Sequence, residues 1–157
     1  MKIFFRAVGK AHEAYVKAGV EDFTRRINNY FKAEWEILPP PKEAASLQPA
    51  ELKKKEASMV LSKIQKDDFL VVLEERGRQI TSEELADFLQ VQANNGTRKL
   101  VFLIGGAYGS DASVLQRADM QWSLSKLVFP HQLVRLILAE QLYRACTILR
   151  NEKYHHS

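Results

Sequence analysis

The chain has 157 residues, of which 46% are hydrophobic and 27% are charged, and this predicts one domain over residues 1–157 with a single buried core. Lysine and arginine outnumber aspartate and glutamate by 23 to 19, a small excess that permits a phosphate-bearing partner without requiring one. The single cysteine, Cys146, excludes an intrachain disulfide and is expected in the core, and no apolar run approaches the length of a membrane span, so a cytoplasmic protein is predicted.

The first half of the chain predicts alternating strands and helices. Residues 2–8 have a strand pattern, and residues 13–31 place apolar side chains at helical spacing. Acidic and apolar residues alternate over residues 34–38, which predicts a second strand. The triple proline at 39–41 excludes regular structure, and a helix over residues 49–65 then begins with a proline in its first turn.

Two continuous apolar runs in the middle of the chain predict buried strands. They cover residues 69–73 and 100–104 and are typical of parallel strands that are covered on both faces. Between them, Thr81 and Glu84 have the spacing of a capping box, and the helix that they begin is expected to end at residues 94–96. The pattern therefore continues the alternation of strand and helix.

A short helix and a fifth strand follow the second buried run. Ser110 or Asp111 is expected to cap a helix that reaches Ala118, and residues 120–124 alternate as a strand. Five strands separated by helices predict the fold class α/β, with an open, doubly wound parallel sheet and helices on both faces.

The last helix, over residues 132–150, is apolar almost all the way round. Such a helix must be covered on all sides, and a small domain has few elements with which to cover it, so we predict a homodimer through this C-terminal helix. Glu140 and Arg144 have the favourable i, i+4 spacing on it. An ion pair at the interface and a role in an active site are both open for these two residues.

The glycine loop after the fourth strand is a candidate binding loop. Gly105, Gly106 and Gly109 let backbone approach a ligand closely, but their spacing departs from the dinucleotide fingerprint, and no P-loop lysine follows. A nicotinamide cofactor and a P-loop phosphate site are therefore not expected. By spacing alone, a tight turn and a binding loop are equally good interpretations.

Metal and nucleophile chemistry have no support in the sequence. His12 and His131 are far apart, the histidines at 155–156 are adjacent, and no cluster has the spacing of a zinc site, so no metal is predicted. Ser123 and Ser125 lack the context of an acyl-enzyme serine.

Several segments, taken in order, resemble the RlmH (YbeA) family of small SPOUT-class methyltransferases, which act on pseudouridine in bacterial large-subunit ribosomal RNA. The segments that carry the resemblance are residues 103–109, 122–125, 130–135, 140–145 and 154–155, with residues 7–10 and 73–77 nearer the N-terminus. The resemblance covers essentially the whole chain. It implies a SPOUT-type sheet in which the C-terminal segment threads through a preceding loop to form a trefoil knot, a rare exception to the rule that chains are not knotted.

The resemblance also implies the cofactor and the assembly. S-adenosyl-L-methionine is expected in the knot, held mainly by backbone groups and apolar contacts. The residues implied around it are Leu73, Gly105, Leu124, Ser125, Lys126, Leu127, Val128 and Phe129. Family members are homodimers with cofactor sites at the subunit interface, which agrees with the prediction made from the last helix.

Methylation of a base nitrogen requires alignment of that nitrogen and removal of its proton. Arg135, Arg144 and His155 are the candidate catalytic residues: His155 is the candidate for the proton, and Arg144 for orienting base or phosphate. Tyr154 and Lys153 are candidate RNA contacts, by stacking and by charge. The family tail commonly reads Pro-Tyr-His-Arg, whereas this chain has lysine at 153 and histidine at 156.

The implied function is methylation of N3 of a pseudouridine in 23S ribosomal RNA, within the free large subunit or the assembled ribosome. Two alternatives are open from the sequence. One is a SPOUT methyltransferase for a different RNA position, and the other is a non-catalytic ribosome- or RNA-binding module that retains the fold.

Overall fold

A computed structural model describes residues 1–156 and shows strands and helices in strict alternation. The strands are β1 (Lys2–Val8), β2 (Lys32–Leu38), β3 (Phe69–Arg78), β4 (Lys99–Ile104) and β5 (Met120–Trp122), and the helices are α1 (Ala14–Ile27), α2 (Pro49–Leu61), α3 (Ser82–Asn94), α4 (Ala112–Arg117) and α5 (His131–Leu149). A 3₁₀ turn at Ala44–Ser46 follows the prolines. The predicted order of elements is confirmed.

The five strands form one parallel sheet in the order β2-β1-β4-β3-β5. All five strands are parallel, so their carboxyl ends lie at the same end of the sheet. Because β4 lies between β1 and β3, the direction in which the chain adds strands reverses at the centre of the sheet. This is the arrangement in which an open α/β sheet leaves a crevice for a ligand. The α/β class and the parallel sheet are confirmed, whereas threading of the C-terminal segment is not established by strand order and stays a prediction.

Both faces of the sheet are covered, each by its own apolar core. Helices α1, α3 and α5 pack with one set of alternating strand residues, and α2 and α4 pack with the other. Leu70, Val72, Val101 and Leu103 point to the second set and are at most 1% exposed, which explains the uninterrupted apolar runs of β3 and β4. Cys146 lies in the first core, as predicted, and burial raises its pKa to about 12.

Local hydrogen bonds explain where the helices begin and end. The Thr81 hydroxyl accepts from the Glu84 amide at 3.1 Å while the Glu84 carboxylate accepts from the Thr81 amide at 2.7 Å, so the predicted capping box is confirmed. Asp111, not Ser110, caps α4. Helix α1 ends earlier than predicted because Asn28 exchanges two side-chain hydrogen bonds with the backbone of Ala33 and so turns the chain into β2.

Strand β3 continues beyond its predicted end. Leu73 and Arg78 both pair with Trp122, so a bulge occupies the residues between them. A Cβ atom on Gly77 would lie 2.7 Å from backbone atoms of Gln121 and Trp122, so glycine permits this close approach of the two strands. Strand β5 ends at Trp122 rather than at residue 124, and its chain then turns across the carboxyl edge of the sheet.

Helix α5 lies between α1 and α3, and its inner face packs on the sheet. It approaches α1 so closely that a Cβ atom on Gly19 would lie 2.6 Å from a methyl group of Leu136. Leu133 and Ile137 are only half-buried and do not pack against either core. Three sides of the helix are therefore covered within the chain, and one apolar side is left. Among residues 1–156, no helix is long and apolar enough to cross a membrane.

Candidate functional site

A cleft of about 300 Å³ opens at the carboxyl ends of β3, β4 and β5. Three segments form its walls: the end of β3, the glycine loop after β4, and the segment that joins β5 to α5. The lining residues are Leu73, Glu74, Glu75, Ile104, Gly105, Gly106, Ala107, Gly109, Trp122, Ser123, Leu124, Ser125, Leu127, Val128, Phe129, His131 and Val134. The volume is at the lower end of the range for small-molecule sites.

The glycine loop is a tight turn that also forms one wall of the cleft. The Gly109 amide donates to the carbonyl of Gly106 at 3.0 Å, and Gly109 has a φ of 83°, which side chains disfavour. His131 Nε2 donates to the Gly105 carbonyl at 2.5 Å and so ties the loop to the start of α5. Burial lowers the pKa of His131, which favours the neutral ring.

Serine hydroxyls shape the segment between β5 and α5. The Ser123 hydroxyl donates to the carbonyl of Ser125 at 3.0 Å, and the Ser125 hydroxyl accepts from the amide of Leu127 at 3.0 Å. These bonds present Leu127 and Val128 at the rim of the cleft, where their side chains are 72% and 78% exposed.

The lining of the cleft is mixed, because Glu74 and Glu75 belong to it together with apolar side chains. Leu73, Ile104, Leu124 and Val134 provide apolar walls, while glycines and the short loops leave backbone groups near the ligand. All but one of the residues that the resemblance implies for cofactor binding line this cleft. The exception is Lys126, which lies in the same segment but outside the lining.

Arg135 is buried close to the cleft without a carboxylate partner. Its side chain is 0% exposed, and its only hydrogen bond within residues 1–156 joins Nη1 to Nδ1 of His12 at 3.2 Å; Nε and Nη2 have none. Its guanidinium lies against Gly9, at the carboxyl end of β1. Burial lowers the pKa of Arg135, and burial together with Arg135 lowers the pKa of His12.

Arg144 organises a second cluster at the other end of α5. It binds Glu140 through Nε at 2.9 Å, lies 4.8 Å from the ring of Tyr154, and donates from Nη1 to Nδ1 of His155 at 3.2 Å. His155 in turn donates from Nε2 to Glu83 at 2.7 Å. Tyr154 donates to Glu140 at 3.2 Å, and its pKa is raised by burial and by that carboxylate.

The hydrogen bonds of His155 fix its tautomer. Arginine only donates, so Nδ1 accepts from Arg144 and Nε2 carries the proton that is shared with Glu83. Both ring nitrogens are therefore occupied by hydrogen bonds within the chain.

The three candidate catalytic residues thus form two groups within one chain. Arg135 and Arg144 are nine residues apart on α5, which corresponds to about 13 Å along the axis and to opposite sides of the helix. Of the candidate RNA contacts, Tyr154 is half-buried in the second cluster and Lys153 is exposed. The chain alone does not bring the tail to the cleft.

Sequence reasoning missed Glu56, a buried carboxylate on α2 directly behind the glycine loop. One signal was present: Glu56 shares the inward side of α2 with Leu52 and Val60, at helical spacing of four residues. It also missed the contact of His131 with the loop. In the part of the chain that the structure describes, no three histidine, cysteine or acidic residues are grouped as metal ligands, and no metal was predicted.

Comparison with known proteins identifies relatives along the whole chain. A family described as "Predicted SPOUT methyltransferase" matches residues 1–155. Proteins named ribosomal RNA large subunit methyltransferase H are similar to it: that of Christiangramia forsetii is 43% identical over 156 residues, covering 99% of each chain. That of Cytophaga hutchinsonii is 42% identical and covers 99% of this chain and 100% of the relative.

Solved structures support the fold. A probable methyltransferase from Bordetella pertussis has a TM-score of 0.54 at 13% identity, covering 92% of this chain and 93% of that one. A probable methylase family protein from Haemophilus influenzae also has a TM-score of 0.54, at 11% identity, covering 99% of this chain and 70% of that one.

Proposed function

This chain belongs to the SPOUT methyltransferase family, and we propose that it transfers a methyl group from S-adenosyl-L-methionine to N3 of a pseudouridine in 23S ribosomal RNA. Its match along the whole chain to relatives named ribosomal RNA large subunit methyltransferase H supports the RNA substrate. The observation that carries the proposal is the cleft itself, because it combines apolar walls with a glycine loop at the carboxyl edge of a parallel sheet. Action on ribosomal RNA would place the protein in the bacterial cytoplasm.

We propose that the cofactor lies in this cleft. The apolar side chains of Leu73, Leu124 and Val134 would enclose the adenine, and backbone groups of residues 124–129 would bind its polar edges, so that the glycine loop faces the rest of the cofactor. When bound, S-adenosylmethionine supplies an electrophilic methyl group and its leaving group. The protein must then orient the base and remove the N3 proton.

We propose Arg135 as the residue that stabilises the negative charge that develops in the reaction: it is not part of the cleft lining, but it lies against Gly9 together with His131, which lines the cleft. Loss of the N3 proton leaves negative charge on the ring carbonyls, and a guanidinium in a low-dielectric site with free N–H groups stabilises such charge strongly. Arg144 would orient a phosphate or the base, and His155 would accept the proton once Arg144 releases Nδ1. Tyr154 and Lys153 would contact the RNA.

A homodimer would bring the two groups of candidates together. Leu133 and Ile137 leave one side of α5 uncovered, and the same helix contributes Val134 to the cleft. Arg144, in the second cluster, is also only half-buried on α5. We propose that two copies pack through this side of α5, so that the tail cluster of one subunit approaches the cleft of its partner.

The substitution Ile137→Asp is expected to weaken the dimer by about 100-fold or more, because each interface would then bury two unpaired carboxylates. Sedimentation velocity over a range of protein concentrations measures this effect. Val91→Asp is the matched control, since Val91 is an apolar residue on α3 that is 49% exposed. A dimer that forms equally well in both variants would contradict the α5 interface.

The functional proposal is tested by methyl transfer from labelled S-adenosylmethionine to large subunits and assembled ribosomes that carry or lack the pseudouridine. The modified nucleoside is identified by mass. We expect transfer only where pseudouridine is present, and comparison of the two particles identifies the natural substrate. Transfer to another nucleoside would assign a different RNA position, and cofactor binding without transfer to any RNA would favour the binding module.

A further inference from the structure

Glu56 is a buried carboxylate, and no contact described within the chain offsets the free energy of burying it. It lies on α2, is 6% exposed, and has no hydrogen bond to Oε1 within residues 1–156. Burial raises its pKa, and no neighbouring charge contributes to the shift. A buried carboxylate without a partner is expensive, and such groups call for an explanation in terms of function or a bound partner.

The Glu56 carboxylate lies in direct contact with the glycine loop. A Cβ atom on Gly106 would lie 2.5 Å and 2.6 Å from the two oxygens of Glu56. Gly105, Gly106 and Gly109 line the cofactor cleft on one side and the small cavity beside Glu56 on the other. A single layer of backbone therefore separates this carboxylate from the cleft.

The charged groups around Glu56 do not neutralise it. Lys53 from α2 and Asp111 from the N-terminus of α4 line the same cavity, while β1 and β4 contribute the apolar residues Val8 and Leu103. His131 contacts the loop from α5, and burial favours its neutral form. Asp111 is engaged by the amide and hydroxyl of Ser113.

We propose that Glu56 is a specificity-determining residue that makes the cleft bind the positively charged S-adenosylmethionine in preference to its neutral product, S-adenosylhomocysteine. The inference rests on the proposed cofactor site. In the reaction, the bond from sulfur to the methyl carbon breaks and a bond from N3 to that carbon forms. The sulfur keeps the electron pair and becomes a neutral thioether, and the N3 proton leaves to a base.

The two ligands thus differ by one methyl group and one positive charge. The negative charge of Glu56, separated from the cleft by one layer of backbone, attracts the sulfonium but not the thioether. This attraction is strong where water is excluded. Substrate binding is strengthened, and the product is released more readily because its attraction to Glu56 disappears with the charge.

The same geometry predicts a pH dependence with a definite sign. A bound cation favours the ionised carboxylate, so binding of S-adenosylmethionine lowers the pKa of Glu56, which burial had raised. Affinity for this ligand therefore increases as pH rises through the pKa of Glu56 in the free protein. Glu74 and Glu75 also line the cleft, so the contribution of Glu56 to this pH dependence is the part that the substitution Glu56→Gln removes.

The test measures the dissociation constants of both ligands by calorimetry, from mildly acidic to mildly alkaline pH, in the wild type and in Glu56→Gln. We expect the preference for S-adenosylmethionine to fall by about tenfold in Glu56→Gln, and its pH dependence to become weaker. Glu56→Asp retains the charge and should keep most of the preference. Glu51→Gln, on an exposed position of the same helix, should leave the ratio unchanged.

An equal loss of affinity for both ligands in Glu56→Gln would overturn the inference, because it would assign Glu56 a purely structural role. A preference in the wild type that does not vary with pH would also overturn it, and this measurement does not depend on any variant that folds. Binding of neither ligand by the wild type would instead overturn the cofactor site, and the inference with it.

Discussion

Replacing Arg135 by methionine is expected to lower methyl transfer by about 100-fold or more, while the midpoint of thermal unfolding stays the same or rises. The two effects have separate causes. Arg135 is fully buried with two nitrogens unpaired, so a methionine of similar length removes a desolvated charge without leaving a buried carboxylate behind. A side chain that merely supported the fold would lower both quantities together.

The measurement pairs single-turnover transfer at saturating cofactor with differential scanning calorimetry. The expected loss of transfer corresponds to the removal of one preorganised donor that faces developing negative charge. Arg135→Lys is the matched control: it keeps the positive charge but not the fork of donors, and intermediate activity is expected. Full transfer by Arg135→Met would exclude a catalytic role for Arg135. The hydrogen bond to His12 would then be the one interaction that accounts for this arginine.

The strands and helices were predictable because each has a local physical cause. The runs in β3 and β4 are apolar throughout since both faces of the sheet are covered, and the capping box at Thr81 satisfies two backbone amides through neighbouring residues. The end of α1 was not predictable, because the side chain of Asn28 binds Ala33 across the turn. The position of β4 between β1 and β3 was not predictable either, because residue patterns along the chain do not specify the order of strands in a sheet.

The site was predictable where the sequence resembles the family and less so elsewhere. The cleft does contain Gly105 and most of residues 124–129. The glycine loop is held against the start of α5 by the hydrogen bond between His131 and Gly105, which are 26 residues apart in the sequence. Glu56 was missed because its burial is produced by the glycine loop, fifty positions away along the chain. Long-range contacts of this kind follow from tertiary packing, and periodicity reports only the local environment of a residue.

The separation of Arg135 from Arg144 changes the interpretation of the tail. As long as His155 is bound between Arg144 and Glu83, the tail is a folded part of its own subunit. The side chains of Arg144 and His155 are 25% and 17% exposed in this polar cluster, and RNA or a second subunit would cover the part that remains exposed. The departure of this tail from the family pattern at residues 153 and 156 leaves Tyr154 and His155, which make the contacts, in place.

Removal of residues 153–157 is therefore expected to lower methyl transfer by about 100-fold or more, with little change in cofactor binding. The cleft contains no residue beyond Val134, so its walls remain. The truncated chain keeps Glu152, whose carboxylate accepts hydrogen bonds from Tyr30 at 2.8 Å and fastens the end of α5. The measurements are single-turnover transfer and calorimetric affinity for S-adenosylmethionine.

Two point variants divide the role of the tail. His155→Ala should slow single-turnover transfer by about 100-fold if its ring accepts the N3 proton. Tyr154→Phe removes only the hydroxyl that donates to Glu140 and should keep most of the activity, because the ring remains beside Arg144. Undiminished transfer by the truncated chain would place the proton acceptor outside the tail and leave the cleft side of α5, with Arg135 and His131, as the region that contains it.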